Sequence, residues 1–168
     1  MKQRIVISGR GGQGVLTLTR ILAEAAAAAG HEVITTETHG MAQRGGSVLS
    51  TVKVGPFRGP LLAPGEAEVA LFLHADNLPV HGDYLRPGGA ALVNAQSPSP
   101  HPTVDADGLA ATAGEPRAAN LALLGFAVGK GVLFAGADHF ETVIRATTPA
   151  QYLDRNLAAF RAGLGAAR

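Results

Sequence analysis

The 168-residue chain contains no cysteine. Disulfides, thiolate nucleophiles and cysteine-ligated zinc or iron–sulfur centres are therefore excluded from it. Tryptophan is also absent, and aromatic side chains are limited to six Phe and two Tyr. With so few large apolar groups, each residue has less area to bury, and a sizeable partner interface would help to stabilise the chain. Charge is sparse and balanced: 14 Lys plus Arg against 13 Asp plus Glu, a formal net charge of +1. There is no run of like charges, and no basic stripe of the kind a nucleic-acid footprint requires. No apolar run has the length of a membrane span, since AEAAAAAG (23–30) is short and carries Glu24. The opening MKQRIVISG passes straight into a strand-like run with no secretory apolar core. These features point to a cytoplasmic protein that binds neither membrane nor nucleic acid.

Small residues are plentiful, with 22 Gly, and the hydrophobic fraction of 46% excludes a disordered chain. The length suits one domain over residues 1–168. RIVIS (4–8) is β-branched and apolar, and a glycine cluster follows it. VLTLTRILAEAAAAA (15–29) is rich in helix formers, and Gly30 stands where a helix C-terminal glycine belongs. EVITTE (32–37) returns to strand character, completing the β-α-β unit that builds parallel sheets. SVLSTVKV (47–54), EVALFL (68–73) and GGAALVNA (88–95) read as further strands, the second buried on both faces. Residues 55–67 are rich in proline and glycine and read as a loop, and 74–85 as a short helix interrupted near Pro79. Past the loop QSPSPHP (96–102), the pattern predicts a short strand and a helix over 104–114, then an apolar helix over Arg117–Lys130 with Leu121, Leu124 and Val128 on one face. The last third predicts two helices meeting at TTPAQ, with Thr148 as N-cap and Pro149 as first helical residue. The expected fold is α/β: a single doubly wound, mostly parallel sheet flanked by helices, with a helical C-terminal portion.

Two glycine-rich segments carry the chemistry. Gly9, Gly11 and Gly14 satisfy G-x-G-x-x-G between a strand and a helix, in a loop that also holds Arg10, Gly12 and Gln13. Glycines permit close backbone approach, and the helix N-terminus favours an anion. A Walker A loop is excluded, because Val15 and Leu16 occupy the Lys and Ser/Thr positions. A free-standing dinucleotide-binding protein stays open as an alternative, with Glu37 at the end of the second strand as its ribose-binding acid. The second segment, THGMAQRGGSV (38–48), follows that strand and is expected to emerge at the same C-terminal sheet edge. It carries His39, Gln43, Arg44, Gly45 and Gly46. Arg44 offers a planar fork for carboxylate or phosphate, His39 a donor or proton carrier, and the glycines room for close approach.

GRGGQGV followed by ETHGMAQRGGSV resembles the gamma-type subunit of the 2-oxoacid:ferredoxin oxidoreductases. The resemblance extends through AEVALFL, ALVNA and RAANLALLGFAVG and so covers nearly the whole chain. HGMAQRGGSV is most similar to the indolepyruvate branch, with His39, Met41 and Gln43 as branch markers and Arg44–Gly45 as the shared element. The resemblance implies oxidative decarboxylation of a 2-oxoacid such as indolepyruvate, pyruvate or 2-oxoglutarate, normally giving acyl-CoA, with electrons passed to ferredoxin. It further implies that thiamine diphosphate, Mg and the iron–sulfur clusters belong to partner chains. Two absences agree: the chain has no Cys, and it lacks the Gly-Asp-Gly plus distant Asn that holds a thiamine diphosphate metal. This chain is then a non-redox subunit, inactive alone, whose two loops (Gly9–Gly14, His39 and Gln43–Gly46) meet substrate, coenzyme A or neighbouring subunits. Self-association into a homodimer is open to the isolated chain.

No catalytic residue or metal ligand is assigned. There is no Ser/His/Asp set, HExxH or paired-carboxylate arrangement. Gln13 is expected to bond across to the second loop. Asn94 and His74 end strands at the ligand edge and are read as turn residues, Asn120 as a backbone-satisfying or interface residue. His31, His81, His101 and His139 have no ligand-like spacing.

Overall fold

The computed structural model describes residues 1–38 and 46–168. The strands are β1 (Gln3–Arg10), β2 (Val33–Thr38), β3 (Ser47–Val54), β4 (Ala67–Phe72), β5 (Leu85–Asn94) and β6 (Thr103–Val104). They form one sheet in the order β2-β3-β1-β4-β5-β6. β1 pairs in parallel with β4, β4 with β5 and β5 with β6, whereas β3 runs antiparallel to both its neighbours. The sheet is therefore mostly parallel, as expected. The departure is β3, which turns back from β2 and inserts between β2 and β1. β1 lies at the centre because Ile5, Val6 and Ile7 are apolar on both faces, and none is exposed.

The helices are α1 (Val15–Ala28), α2 (Leu78–His81, within 3₁₀ turns at 75–77 and 82–84), α3 (Ala106–Thr112), α4 (Ala119–Gly129), α5 (Ala137–Thr147) and α6 (Ala150–Ala166). α1 presents Val15, Leu18, Ile21, Leu22, Ala25 and Ala26 to the sheet at helical spacing. It ends as the sequence indicates. Gly30, at φ 84°, lets its own N–H reach Ala27 C=O and the His31 N–H reach Ala26 C=O, both at 3.0 Å.

α4 carries no polar stripe: every residue from Asn120 to Val128 is buried, not one face alone. α6 covers it at backbone contact. A Cβ on Gly125 would lie 1.9 Å from the Phe160 carbonyl oxygen, and one on Gly163 would lie 1.8 Å from that of Ala122. Together α1, α4, α5 and α6 enclose the main core on one face of the sheet, with Phe140 and Phe160 unexposed. The other face is thinly covered. Among the described residues, Val6, Ala70, Phe72 and Val93 are packed by Leu62 from the 55–66 loop and Leu78, Tyr84 and Leu85 from the segment after β4, with Leu49 and Ala95 at the margin.

Two local expectations are corrected. Pro79 stands in the first turn of α2 and opens it rather than interrupting it. At TTPAQ, Thr148 is extended, and its N–H bonds to Ile144 C=O at 3.0 Å, closing α5. Pro149, at ψ 141°, then takes the N-cap position, and α6 starts at Ala150 with no side-chain cap.

Candidate functional site

β1, β2 and β4 all end at the same edge of the sheet, and the first glycine loop crosses it. Gly12 (φ 93°) and Gly14 (φ 80°) both occupy the left-handed region, which folds Gly9–Gly14 into a tight turn leading into α1. The Gly11 N–H donates to the Gly46 C=O at 2.9 Å, so the start of the first loop and the end of the second are joined by backbone. This places the two segments at one edge, as the sequence suggested. His39, Gln43, Arg44 and Gly45 lie outside the described residues.

The second loop, the expected partner of Gln13, lies mostly outside the described residues, and the bonds shown run elsewhere. Gln13 Oε1 accepts from the Arg10 N–H at 2.7 Å, and its Nε2 donates to the Leu73 C=O at 2.9 Å, tying the loop to the end of β4. Arg10 makes the same crossing at the surface, with Nη2 2.5 Å from Asp76 Oδ2. His74 caps the turn at 75–77, its Nδ1 accepting from the Asp76 N–H at 3.0 Å. Asn94 holds β5 to its surroundings, accepting from the Ala106 N–H at 2.8 Å and donating to Leu73 C=O at 3.1 Å. His74 is thus the turn residue expected, whereas Asn94 is a cross-tie from β5 to the end of β4 and the start of α3 rather than a turn residue. Beneath the loop, unexposed Ser8 meets His81 Nδ1 at 2.7 Å and accepts from Asn77 Nδ2 at 3.0 Å. Asn77 also donates to Gly9 C=O at 2.9 Å. Burial holds the His81 imidazole below its usual range, opposed in part by Asp83, so it sits neutral against Ser8.

Glu37 stands opposite Ser50 on β3. Because β3 separates β2 from β1, Glu37 lies two strand spacings, about 10 Å, from β1 rather than beside it. A dinucleotide fold relies on that adjacency.

Beside the loop opens a cavity of about 330 Å³, lined by Gly12, Gly14, Thr17, Arg20, Arg117, Asn120 and Tyr152 among others. The first turns of α1, α4 and α6 meet there, headed by Gly14, Ala118 and Pro149, and none has a side-chain cap. The Leu121 N–H is taken by Asn120 Oδ1 and the Tyr152 N–H by Pro149 C=O, and the remaining first-turn N–H groups with their partial positive charge favour an anionic ligand. Asn120 bridges two of these helices, its Nδ2 donating to Gly14 C=O at 3.2 Å. The Arg117 guanidinium lies over the Tyr152 ring at 5.5 Å, with Nε 3.1 Å from Glu115 Oε1. A hydrogen bond from Arg117 holds the Glu115 carboxyl below its ordinary range, keeping it ionised and its charge offset. Among the described residues, no cluster of His, Asp and Glu could hold a metal ion, and no helix is long and apolar enough to cross a membrane.

Residues 4–166 match the model of the pyruvate ferredoxin/flavodoxin oxidoreductase family. The chain belongs to that family. Within it, the indolepyruvate oxidoreductase subunit IorB of Archaeoglobus fulgidus is 33% identical over 189 aligned residues, covering 97% of this chain and 94% of that protein. The ketoisovalerate oxidoreductase subunit VorA of Methanothermobacter thermautotrophicus is 30% identical and takes in 98% of this chain, but only 36% of its own length is matched. The gamma subunit of a keto/oxoacid ferredoxin oxidoreductase from Geobacter sulfurreducens has the same fold, with a TM-score of 0.78 at 26% identity over 98% of both chains. The family's shared unit is thus a chain of its own in some members and about a third of a longer chain in VorA. In this member the cavity adds Thr17, Arg20, Arg117 and Tyr152 to the residues that sequence motifs single out. One local signal bears on Arg117: it stands two residues before the apolar helix α4, in a turn capped by Glu115, whose carboxylate accepts from the Arg117 N–H.

Proposed function

We propose that the chain is the non-redox gamma-type subunit of a 2-oxoacid:ferredoxin oxidoreductase, with residues 1–168 working as one unit. Indolepyruvate is the favoured substrate, because the relatives matched along nearly their full length are named for it. The carrying observation is the strand edge itself. One backbone bond joins the two glycine loops there, and three uncapped helix starts with two arginines open beside them. An anion-accepting surface of this kind suits the phosphates of coenzyme A as acyl acceptor. Gly9, Arg10, Gly11, Gly12, Gln13, Gly14 and Gly46, with His39, Gln43, Arg44 and Gly45, would form the substrate, coenzyme A or subunit contacts, and none is assigned a chemical step. With no cysteine in the chain, the iron–sulfur clusters must be carried by partner chains. Those partners would also hold thiamine diphosphate and Mg and would pass electrons to ferredoxin, in the cytoplasm.

The test is anaerobic reconstitution with the cofactor-bearing chains of the same complex. The isolated chain should show no 2-oxoacid-dependent ferredoxin reduction, and activity should appear on recombination. In the assembled enzyme, Arg117→Ala should raise the KM for coenzyme A by about tenfold, the scale of one charge-assisted contact, while the KM for the oxoacid stays unchanged. Turnover by this chain alone, with any oxoacid, overturns the proposal.

A further inference from the structure

The thin face of the sheet contains a feature that the strand-edge site does not use. Lys53 on β3 is 7% exposed, and its ammonium donates to the carbonyls of Gly59 and Leu61, the first at 3.0 Å. Among the described residues it makes no ion pair with a carboxylate. The Phe57 ring completes its surroundings, with Nζ 5.3 Å from the centroid. Removing an ammonium group from water is costly, so this arrangement needs a compensating structural return. What it fixes is the 55–66 loop, which Pro56, Pro60 and Pro64 already stiffen. The far end of that loop is secured by the Glu66 carboxylate, which accepts from the Ala63 N–H at 2.9 Å, and by the Gly65 N–H to Asp83 C=O, at 2.8 Å.

The loop held in this way displays Leu61 to solvent at 85% exposure, the highest value for any large apolar side chain described. Leu62 beside it packs into the thin-face cluster with Leu78, and Val80, on the same short helix as Leu78, is 53% exposed. Cations gather at the start of the same loop, around Phe57. Lys2 and Arg4 approach the Phe57 ring at 5.0 and 5.9 Å, Arg58 is exposed next to it, and Arg86 reaches Glu68 only at 3.5 Å. Glu68 is mainly engaged by Arg4, at 2.6 Å, and with Glu66 and the exposed Asp83 adjoining the loop, Lys2, Arg58 and Arg86 exceed the remaining carboxylates by one.

We infer that the 55–66 loop is a preformed docking knob for a partner subunit of the same enzyme complex, which receives Leu61 in an apolar pocket rimmed by carboxylates. A rigid loop loses little entropy when it docks, and an apolar side chain seated in a desolvated pocket with a polar rim can carry a large share of the binding energy. The choice of occupant rests on the subunit reading above. The specific commitment, apolar pocket with acidic rim, comes from the charge and exposure of this patch.

The test uses the full-length chain and the purified thiamine- and cluster-bearing partner, with affinity measured at low and high salt. Leu61→Asp should weaken association by about 30-fold, the hot-spot scale, without lowering the melting temperature, because the side chain is outside the core. Leu61→Ala, which adds no charge, should cost about tenfold. Arg58→Glu should cost a further several-fold at low salt and little at high salt, as rim charges do. If all three variants remain folded and bind as the wild type does, the knob assignment is overturned. Loss of homodimer contacts with the heteromeric affinity unchanged would likewise overturn it, assigning the patch to a second copy. Failure of the wild-type chain to bind the partner would instead refute the subunit reading itself.

Discussion

The two faces of the sheet are built on opposite physical terms. On the helical face, α4 is buried all round, and α6 lies so close that glycine is the only residue able to occupy positions 125 and 163. Order there rests on close packing of carbon and backbone. On the thin face, single polar ties do that work: Arg4 to Glu68, Lys53 to two loop carbonyls, Ser8 to His81 and Asn77. Each tie is weaker than a packed layer, but each specifies a position. The thin face's polar network reaches the first glycine loop through Asn77 on the Gly9 carbonyl, while Asn120 of α4 holds the Gly14 carbonyl from the helical face. Bulk stability therefore rests mainly on the helical face, while loop placement draws on polar ties from both.

That division can be broken most severely from the helical side. Gly163→Val places carbons inside the Ala122 carbonyl, against rigid backbone, and should cost more than about 3 kcal/mol, the upper range for overpacking. Chemical denaturation should show loss of most of the folded population, whereas Gly165→Ala, two residues away in open space, should be tolerated. Ser8→Ala on the thin face should cost about 1–3 kcal/mol, since it leaves His81 and Asn77 short of a buried partner. Its local effect should be larger than its global one, and amide exchange at Gly9–Gln13 would register that difference. The smallest expected effect is on pH dependence. The unfolded chain protonates a histidine near 6.5, while folded His81 does so only at lower pH. Between those values the unfolded state binds more protons, so stability should decline as pH falls below about 6.5. His81→Gln should flatten that part of the stability profile.

Much of this was legible in the residues because it is local. Gly30 ends α1 by its own backbone geometry, and the β1-loop-α1 unit follows from a β-branched run, a glycine cluster and an alanine-rich helix. The shared strand edge of the two glycine loops was also readable, since it depends only on β1 and β2 pointing the same way. The insertion of β3 was not, because alternation along SVLSTVKV states which residues face inward but neither the strand's direction nor its neighbours. The cavity was hidden for a related reason. Arg117 and Tyr152 come together only because α4 and α6 pack at backbone distance, and that contact rests on glycines 38 positions apart, numbers 125 and 163. The tie from Gln13 to the end of β4 was not readable either, because Leu73 is 60 residues away along the chain.

The α4–α6 contact also has a temporal side. α4 is complete at Gly129, but the helix that covers it does not end until Ala166. At a synthesis rate of about 5–20 residues per second, the apolar surface of α4 lacks its cover for about 2–7 s after it is made. During that interval the nascent chain presents an apolar helix with no polar side on which to rest. The tightest contact in the finished molecule therefore marks the point of greatest exposure to misassociation in the unfinished one, and makes the last helix the step that commits the fold.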